Sequence, residues 1–185
     1  MKKWLLALLA ALLLTAAVFA DHPGKTGLGG IVGNGYNYVH NLDVHGYDFY
    51  TGLSLYVDPV PIFWGFYGHV FPNSGTGAFG VTGDFYIFEW TLVSKTAVND
   101  EGSYDINIHW YLGVGFFGDM YFWKDYLGLD GGIRIPFGVS WHATDNLEIA
   151  AGIAPGIGIY GHPDIDARFY YRIPPLEVAV RYWWF

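Results

Sequence analysis

The chain has 185 residues and no cysteine, so it has room for one domain and excludes disulfides and thiolate metal sites. Aromatic residues make up 20% of it and charged residues only 14%, which is an unusual balance for a soluble protein. The formal net charge of -8 disfavours nucleic acid as a partner, because phosphate binding needs a basic surface.

The first 20 residues predict a secretory signal peptide. The basic stretch Met1-Lys2-Lys3 precedes an apolar run over residues 4–14 that is too short for a comfortable membrane helix. Val18-Phe19-Ala20 suits cleavage before Asp21. We therefore expect residues 21–185 to form the mature domain. No cysteine follows the apolar run, which excludes lipid attachment at a lipobox.

The mature sequence favours a membrane barrel over membrane helices. After residue 20 no apolar stretch approaches about 18 residues, the length that a spanning helix needs. Backbone groups in lipid must all be paired internally, so a closed β-barrel is the alternative spanning structure. The predicted fold class is all-β, a closed eight-stranded antiparallel transmembrane β-barrel preceded by a cleavable signal peptide.

Eight segments of alternating polarity are the predicted strands. They cover about residues 26–38, 47–57, 62–71, 79–93, 104–118, 127–142, 146–160 and 176–185. In the fifth strand Ile108, Trp110 and Leu112 share one face, opposite His109 and Tyr111. One face suits lipid and the other a narrow polar lumen. An even number of strands places both termini in the periplasm.

The connections fall into two predicted sets. Residues 58–61 and 144–146 are short turns of the periplasmic kind, and residues 94–103 form a longer one. Residues 39–46, 72–78, 119–126 and 161–175 are the predicted extracellular loops. Residues 168–173 could instead be a ninth strand with Pro174-Pro175 as a turn. We favour the loop, because nine strands would leave one terminus outside.

The C-terminal strand ends in aromatic residues. Tyr182, Trp183 and Phe185 resemble the terminal signal that the barrel assembly machinery reads in outer-membrane proteins. The lipid-facing set is either Val178, Val180, Tyr182 and Trp184, or Arg181, Trp183 and Phe185. A bulge near Tyr182 would reconcile the two phases.

Several motifs carry a resemblance to a known family over nearly the whole mature chain. They are Gly83-Asp84-Phe85-Tyr86-Ile87-Phe88, Trp110-Tyr111-Leu112-Gly113-Val114-Gly115, Arg134-Ile135-Pro136-Phe137-Gly138-Val139-Ser140-Trp141, and Leu147-Glu148-Ile149 with Ala154-Pro155-Gly156. These resemble small outer-membrane β-barrel proteins similar to the transmembrane domain of OmpA and to the OmpX and OmpW barrels. The resemblance implies an eight-stranded barrel in a bacterial outer membrane, with outer-membrane lipid and the assembly machinery as partners. It implies no activity.

The inward positions predict a charge network in the lumen. Its members are Asp84, Asp105, His109, Asp130, Arg134, Glu148, Glu177 and Arg181. Isolated charges in a confined interior are costly unless they are paired, so the first interpretation is a salt-bridged plug. The alternative is a narrow pathway for ions or very small solutes, with Arg134 and Glu148 as a gate pair on neighbouring strands.

Catalytic, metal and cofactor signals are weak. Ser140 and His142 share one face of a strand, the minimum geometry for a nucleophile and its base, but no third group accompanies them. A lipid-modifying enzyme is therefore a minor alternative. His40 and His45 flank the first loop with Asp43, yet exposed loop histidines are usually just solvated. We predict no catalytic residue, no metal and no cofactor.

Aromatic residues fit the girdles that anchor a barrel at headgroup depth. The tryptophans concerned are Trp64, Trp90, Trp110, Trp123, Trp141, Trp183 and Trp184. Tyr121, Phe122, Trp123 and Tyr126 fall in the predicted third loop and could contact an extracellular or host ligand. The expected function is a structural or surface-binding role for a barrel with a packed polar lumen.

Overall fold

The computed structural model describes residues 26–39, 45–58, 60–71, 76–99, 102–123, 126–162 and 165–184. The predicted signal peptide lies outside these residues. The described chain forms one antiparallel sheet of ten strands. They are β1 (Thr26–Val39), β2 (His45–Val57), β3 (Val60–Phe71), β4 (Thr76–Asn99), β5 (Gly102–Trp123), β6 (Tyr126–Arg134), β7 (Phe137–Thr144), β8 (Leu147–Ile153), β9 (Gly156–His162) and β10 (Ile165–Trp184). No helix within these ranges is long and apolar enough to cross a membrane.

Two prolines divide two of the barrel strands into halves. β6 and β7 are separated only by Ile135 and Pro136, and β8 and β9 only by Ala154 and Pro155. Proline has no N–H to donate to a ladder, so regular pairing stops there. The proline carbonyls still accept hydrogen bonds, from Gly113 N at 2.8 Å and Ile135 N at 2.9 Å, so each pair of halves remains in the sheet.

The sheet closes into a ring of eight strands. β5 pairs with both β6 and β7, and β10 pairs with both β9 and β8, so each pair of halves acts as one strand of the ring. β1 pairs antiparallel with β10 from Thr26↔Trp184 to Val39↔Tyr170 and completes the circle. The predicted eight-stranded closed barrel is confirmed.

Side chains alternate between an apolar exterior and a filled interior. Ile133, at 62% exposed, points out, while the next residue, Arg134, is buried. The predicted outward residues of the sixth strand all share that exposed side: Leu129, Ile133, Ile135, Phe137, Val139 and Trp141. This period of two results from the pleat of the strand, and it gives the barrel the apolar outer surface that a lipid environment requires.

The predicted fourth loop is wrong. Ile165–Trp184 is one continuous strand that pairs with β9 as far as Arg172 and with β8 from Leu176 onwards. Along β1 the register shifts between Asn34 and Tyr36, whose partners are Leu176 and Ile173. Pro174 and Pro175 are therefore accommodated in a bulge, because neither can donate to the ladder. The suggested ninth strand is the upper part of the eighth.

The C-terminal end of β10 has a regular register. Pairing with β1 is continuous from Leu176 to Trp184, so the bulge expected near Tyr182 is wrong. Val180, Tyr182 and Trp184 point outwards, whereas Arg181 and Trp183 are buried. The irregularity lies instead at the proline pair. Phe185 lies outside the described residues.

Two connections predicted as loops are mostly strand. β4 and β5 pair as far as Asn99↔Gly102, so the long turn predicted over residues 94–103 is wrong, and residues 94–99, 102 and 103 are strand. The pairing of β4 with β3 ends at Phe63↔Asp84, and the pairing of β5 with β7 ends at Asn107↔His142. Residues 95–99 and 102–106 therefore form a two-stranded ribbon beyond the ring, at the end that carries Thr26 and Trp184. Within the predicted loop at residues 119–126, residues 119–123 and 126 are likewise strand, because β5 and β6 pair as far as Trp123↔Tyr126.

Candidate functional site: the barrel lumen

Buried charged side chains lie in two layers inside the barrel. The lower layer, nearer to the termini, contains Asp84, Arg134, Glu148, Glu177 and Arg181, and the upper layer contains Asp48, His69, Asp119, Asp130 and Arg172. These side chains come from strands around the ring and point inwards, so they meet in the lumen. The lower layer gathers residues that the sequence analysis placed in the lumen network.

Arg134 joins opposite walls of the barrel in the lower layer. Its Nε lies 2.9 Å from Oδ1 of Asp84 on β4, and its Nη2 donates to Oε2 of Glu177 on β10. The hydroxyl of Tyr50 on β2 donates to the other oxygen of Glu177 at 2.8 Å. One guanidinium thus connects β4, β6 and β10, and Tyr50 joins β2 to them through Glu177, so this group spans the lumen.

Arg181 forms a second cross-lumen group one step closer to the termini. Its Nε donates to Ser54 Oγ at 2.8 Å and its Nη1 donates to Glu148 Oε1 at 3.0 Å. Trp183 Nε1 donates to the other oxygen of Glu148 at 2.9 Å. The guanidinium carbon also lies 4.7 Å from the centre of the Phe63 ring, a cation–π distance. Both carboxylate oxygens of Glu148 thus accept a hydrogen bond, and Arg181 donates from two of its three nitrogens.

The predicted gate pair of Arg134 and Glu148 does not form. Arg134 lies opposite Gly156 of β9, whereas Glu148 of β8 lies opposite His142 of β7. The two residues belong to neighbouring strands of the ring but to different heights along them. Each pairs with a charge at its own height, Arg134 with Asp84 and Glu177, and Glu148 with Arg181.

The upper layer is centred on a histidine between two carboxylates. Nδ1 of His69 lies 2.7 Å from Asp48 Oδ2, and Nε2 lies 3.2 Å from Asp119 Oδ1. Nη2 of Arg172 lies 3.3 Å from the other oxygen of Asp119. Only the imidazolium form of histidine has an N–H on both ring nitrogens, so both carboxylate contacts are satisfied when His69 is protonated.

Of this upper layer only Asp130 was predicted as a member of the lumen network. Asp119 and Arg172 fell in segments predicted to be loops, and Asp48 and His69 were not recognised as a pair. The alternation of the fifth strand could have identified Asp119. Asp119 lies on the same inward face as Gly115 and Phe117, just beyond the predicted end of that strand. Nothing local to Asp48 or His69 indicates that they meet, since that contact depends on the register of β2 against β3.

Aromatic rings fill the lower end of the lumen. Tyr86 stacks between Phe63 and Tyr111, with ring centres 4.3 Å apart on both sides. Tyr56 packs on Phe63 at 4.8 Å and on Trp183 at 5.3 Å. Trp183 is 1% exposed, so its predicted place in the outer aromatic girdle is wrong. Trp183 lies on the inward face of its strand, so its indole points into the core.

A small cavity remains between the aromatic rings and the lower charge layer. Its volume is about 20 Å³, room for about one water molecule. Asp84, Glu177 and Arg181 line it together with Ser54 and Thr82. The described interior thus holds space for hydration of a charge, but this cavity is far smaller than a solute pathway.

Other predicted lumen residues lie elsewhere. His109 is half-buried near the base of the ribbon, where its Nδ1 lies 3.3 Å from Thr91 Oγ1 and its ring centre lies 5.2 Å from that of His142. It belongs to neither charged layer. Asp105 lies on the ribbon opposite Thr96, and its side chain is outside the described part of the structure.

The predicted ligand-contact residues do not share a face. Tyr121 turns towards the lumen and donates to Asp130 Oδ2 at 2.5 Å, whereas Phe122 points outwards and is 53% exposed. The two residues are neighbours on a strand, so the pleat sends them to opposite sides. Trp123 and Tyr126 are cross-strand partners at the hairpin end, and their side chains lie outside the described residues.

Catalytic and metal-binding geometry is not found in the described residues. Ser140 is buried in the lumen, and its Oγ has no hydrogen-bond partner among them, so it makes no such contact with His142. No group of three or more His, Asp and Glu side chains in the described ranges is placed to hold a metal ion. His40, Asp43 and the side chain of His45 lie outside those ranges.

Comparison with known proteins supports the fold. No protein-family model matches the chain, and no curated protein matches its sequence. Neisserial surface protein A (NspA) is 11% identical and has a TM-score of 0.52, with 86% of this chain and 98% of that chain covered. This likeness confirms the predicted fold of a small barrel of the outer-membrane type.

Two other solved structures match with lower TM-scores. The N-terminal β-barrel domain of Pseudomonas aeruginosa OprF is 10% identical, with a TM-score of 0.38 and coverage of 86% of this chain and 98% of that chain. Ail, the attachment invasion locus protein of Yersinia pestis in complex with the heparin analogue sucrose octasulfate, is 11% identical. Its TM-score is 0.35, and 88% of this chain and 99% of that chain are covered.

Proposed function

We propose that the protein is an outer-membrane barrel with a closed lumen and a structural or surface-binding role. The observation that carries this proposal is the cross-lumen position of Arg134, which joins carboxylates on opposite strands. An eight-stranded barrel has an interior just wide enough for side chains to fill, and here paired charges and stacked aromatic rings fill it. Surface binding would use the extracellular connections.

The proposed partners follow from the barrel's surfaces. Outer-membrane lipid would cover the apolar exterior, and the barrel assembly machinery would read Tyr182, Trp183 and Phe185 before folding. An extracellular or host ligand would contact the connections at the end opposite the termini. Catalysis is not part of the proposal, because Ser140, the nucleophile considered, has no base in contact with it among the described residues.

A narrow channel for ions or very small solutes is the second candidate. The water-sized cavity beside Asp84 and Arg181 is the observation that favours it, since it shows that the interior is not filled everywhere. The aromatic rings below this cavity argue against continuity. Conduction would require Phe63, Tyr86 or Tyr111 to move aside.

Potassium efflux from proteoliposomes distinguishes the two candidates. We expect the refolded wild-type protein to release K⁺ no faster than protein-free liposomes, and the double variant Phe63→Ala with Tyr86→Ala to release it faster, because it removes the stacked rings. The control is Phe66→Ala with Phe88→Ala, which also replaces two aromatic residues by alanine but on the exposed face. Wild-type efflux as fast as that of the opened variant would contradict a closed lumen.

A further inference from the structure

Two buried carboxyl groups lie side by side on neighbouring strands of the upper layer. Asp119 of β5 and Asp130 of β6 are cross-strand partners, and both side chains are buried on the lumen side, which brings their Cβ atoms to about 5 Å. Asp119 Oδ2 and Asp130 Oδ1 are buried, and neither accepts a hydrogen bond from a described residue. Two ionised carboxylates this close would repel each other, so the arrangement requires that one of the pair be a carboxylic acid.

The neighbours of the pair indicate which carboxyl holds the proton. Asp119 contacts both cations of the layer, His69 Nε2 at 3.2 Å and Arg172 Nη2 at 3.3 Å. Asp130 instead accepts from the neutral Tyr121 hydroxyl. Cations stabilise the ionised form of the group that they touch. Asp119 is therefore the carboxylate and Asp130 the acid.

The charge of the whole layer agrees with one bound proton. The titratable and charged groups around the pair are Asp48 of β2, Tyr67 and His69 of β3, Tyr121 of β5, Tyr160 of β9 and Arg172 of β10. Three carboxyl groups thus face two cations, the imidazolium and the guanidinium. A single proton makes the layer neutral, which matters because an uncompensated buried charge is costly.

We infer that Asp119 and Asp130 form a proton-binding site, in which Asp130 carries one proton and donates it to Asp119. In the unfolded chain both aspartates ionise at neutral pH, so the folded barrel binds one proton more. Stability therefore falls as pH rises, since the unfolded state binds fewer protons. One such proton changes the unfolding equilibrium constant about tenfold per pH unit while the folded protein retains it.

Asp130→Asn tests the site because the amide keeps the shape and supplies a permanent N–H to Asp119. Urea unfolding in phospholipid vesicles, repeated from neutral to alkaline pH, should show a pH slope one proton smaller than that of the wild type. Tyr121→Phe is the matched control, because it removes the hydroxyl contact of Asp130 but leaves both carboxyl groups, so its slope should equal the wild-type slope. An unchanged slope in Asp130→Asn would overturn the inference.

Infrared spectroscopy gives a second readout that does not depend on refolding a variant. The folded wild-type barrel should show the C=O stretching band of a protonated carboxylic acid at neutral pH, and the band should decrease as pH rises. Asp119→Asn should also weaken the band, because the new amide can donate an N–H to Asp130, which then no longer needs its proton. Absence of the band from the wild-type protein at neutral pH would refute the shared proton.

Discussion

Arg134 illustrates how a narrow membrane barrel keeps a charge in its interior. The residue is 2% exposed, and its guanidinium has carboxylates on two sides, from Asp84 and Glu177. A charge moved out of water into a protein interior loses several kcal/mol of hydration, which only close partners offset. The planar fork of arginine suits this position, because it reaches two acceptors in fixed directions.

Replacement of Arg134 is expected to destabilise the barrel strongly. Arg134→Ala leaves the carboxylates of Asp84 and Glu177 buried without their cation, and we expect a loss of about 3–5 kcal/mol in the free energy of unfolding. Arg134→Lys keeps the charge but loses the two-sided contact, so a smaller loss is expected. Tryptophan fluorescence during urea unfolding in lipid vesicles measures both. A loss below about 1 kcal/mol for Arg134→Ala would show that the cluster is solvated.

Trp183 shows how one residue can be predicted for one role and be placed for another. Its aromatic character and its position near the chain end suggested a lipid-facing anchor and part of an assembly signal. In the folded barrel its indole donates to Glu148, and its backbone N donates to the Asn146 carbonyl at 2.7 Å. The proposed assembly signal would therefore be readable only before β10 docks against β8.

At the scale of elements, closure between β1 and β10 depends on small residues. Gly29 lies opposite Arg181, and a Cβ atom added there would overlap the Val180 carbonyl oxygen and lie 2.7 Å from the Arg181 Cα. The neighbouring Gly30 is different, since its Cβ would find only the Gly52 carbonyl oxygen at 3.9 Å. The closing pair of strands thus has one crowded glycine and one tolerant glycine side by side.

Alanine at these two positions gives a matched test of the closing register. We expect Gly29→Ala to lower the free energy of unfolding by about 1–3 kcal/mol, because backbone atoms of β10 must shift. Gly30→Ala should change it by less than about 0.5 kcal/mol, as expected for a substitution without a clash. Urea unfolding of both variants is the measurement. Equal effects would mean that β1 and β10 pair in a different register.

The strands were predictable where alternation is strong and less so at their ends. Isoleucine and phenylalanine at every second position located the sixth and seventh strands. The eighth strand was predicted to begin only after Pro174-Pro175, because proline is normally a signal for a turn. Here flanking pairing on both sides holds the chain in the sheet. The length of the β4–β5 pairing was also underestimated from the local sequence. Its extension beyond the ring pairs two partly polar segments, which show weaker alternation.

At the scale of the whole molecule, composition and alternation predicted a membrane barrel with charges in its lumen. They could not predict which charges meet. Arg134 and Glu148 were paired on the basis of neighbouring strands, yet height in a barrel depends on strand tilt and stagger, which a list of segments does not contain. Four of the five residues of the upper layer were missed for the same reason, because the layer draws on five separate strands.

We propose that the folded barrel is closed along its axis by paired charges and stacked rings. Single-channel recording of the refolded mature protein in planar bilayers tests it most directly, with Arg134→Ala recorded for comparison. We predict that the folded wild-type protein inserts and remains electrically silent. Reproducible current steps from the wild-type barrel, altered in size by Arg134→Ala, would contradict the closed lumen and establish a conducting pathway through the lower layer.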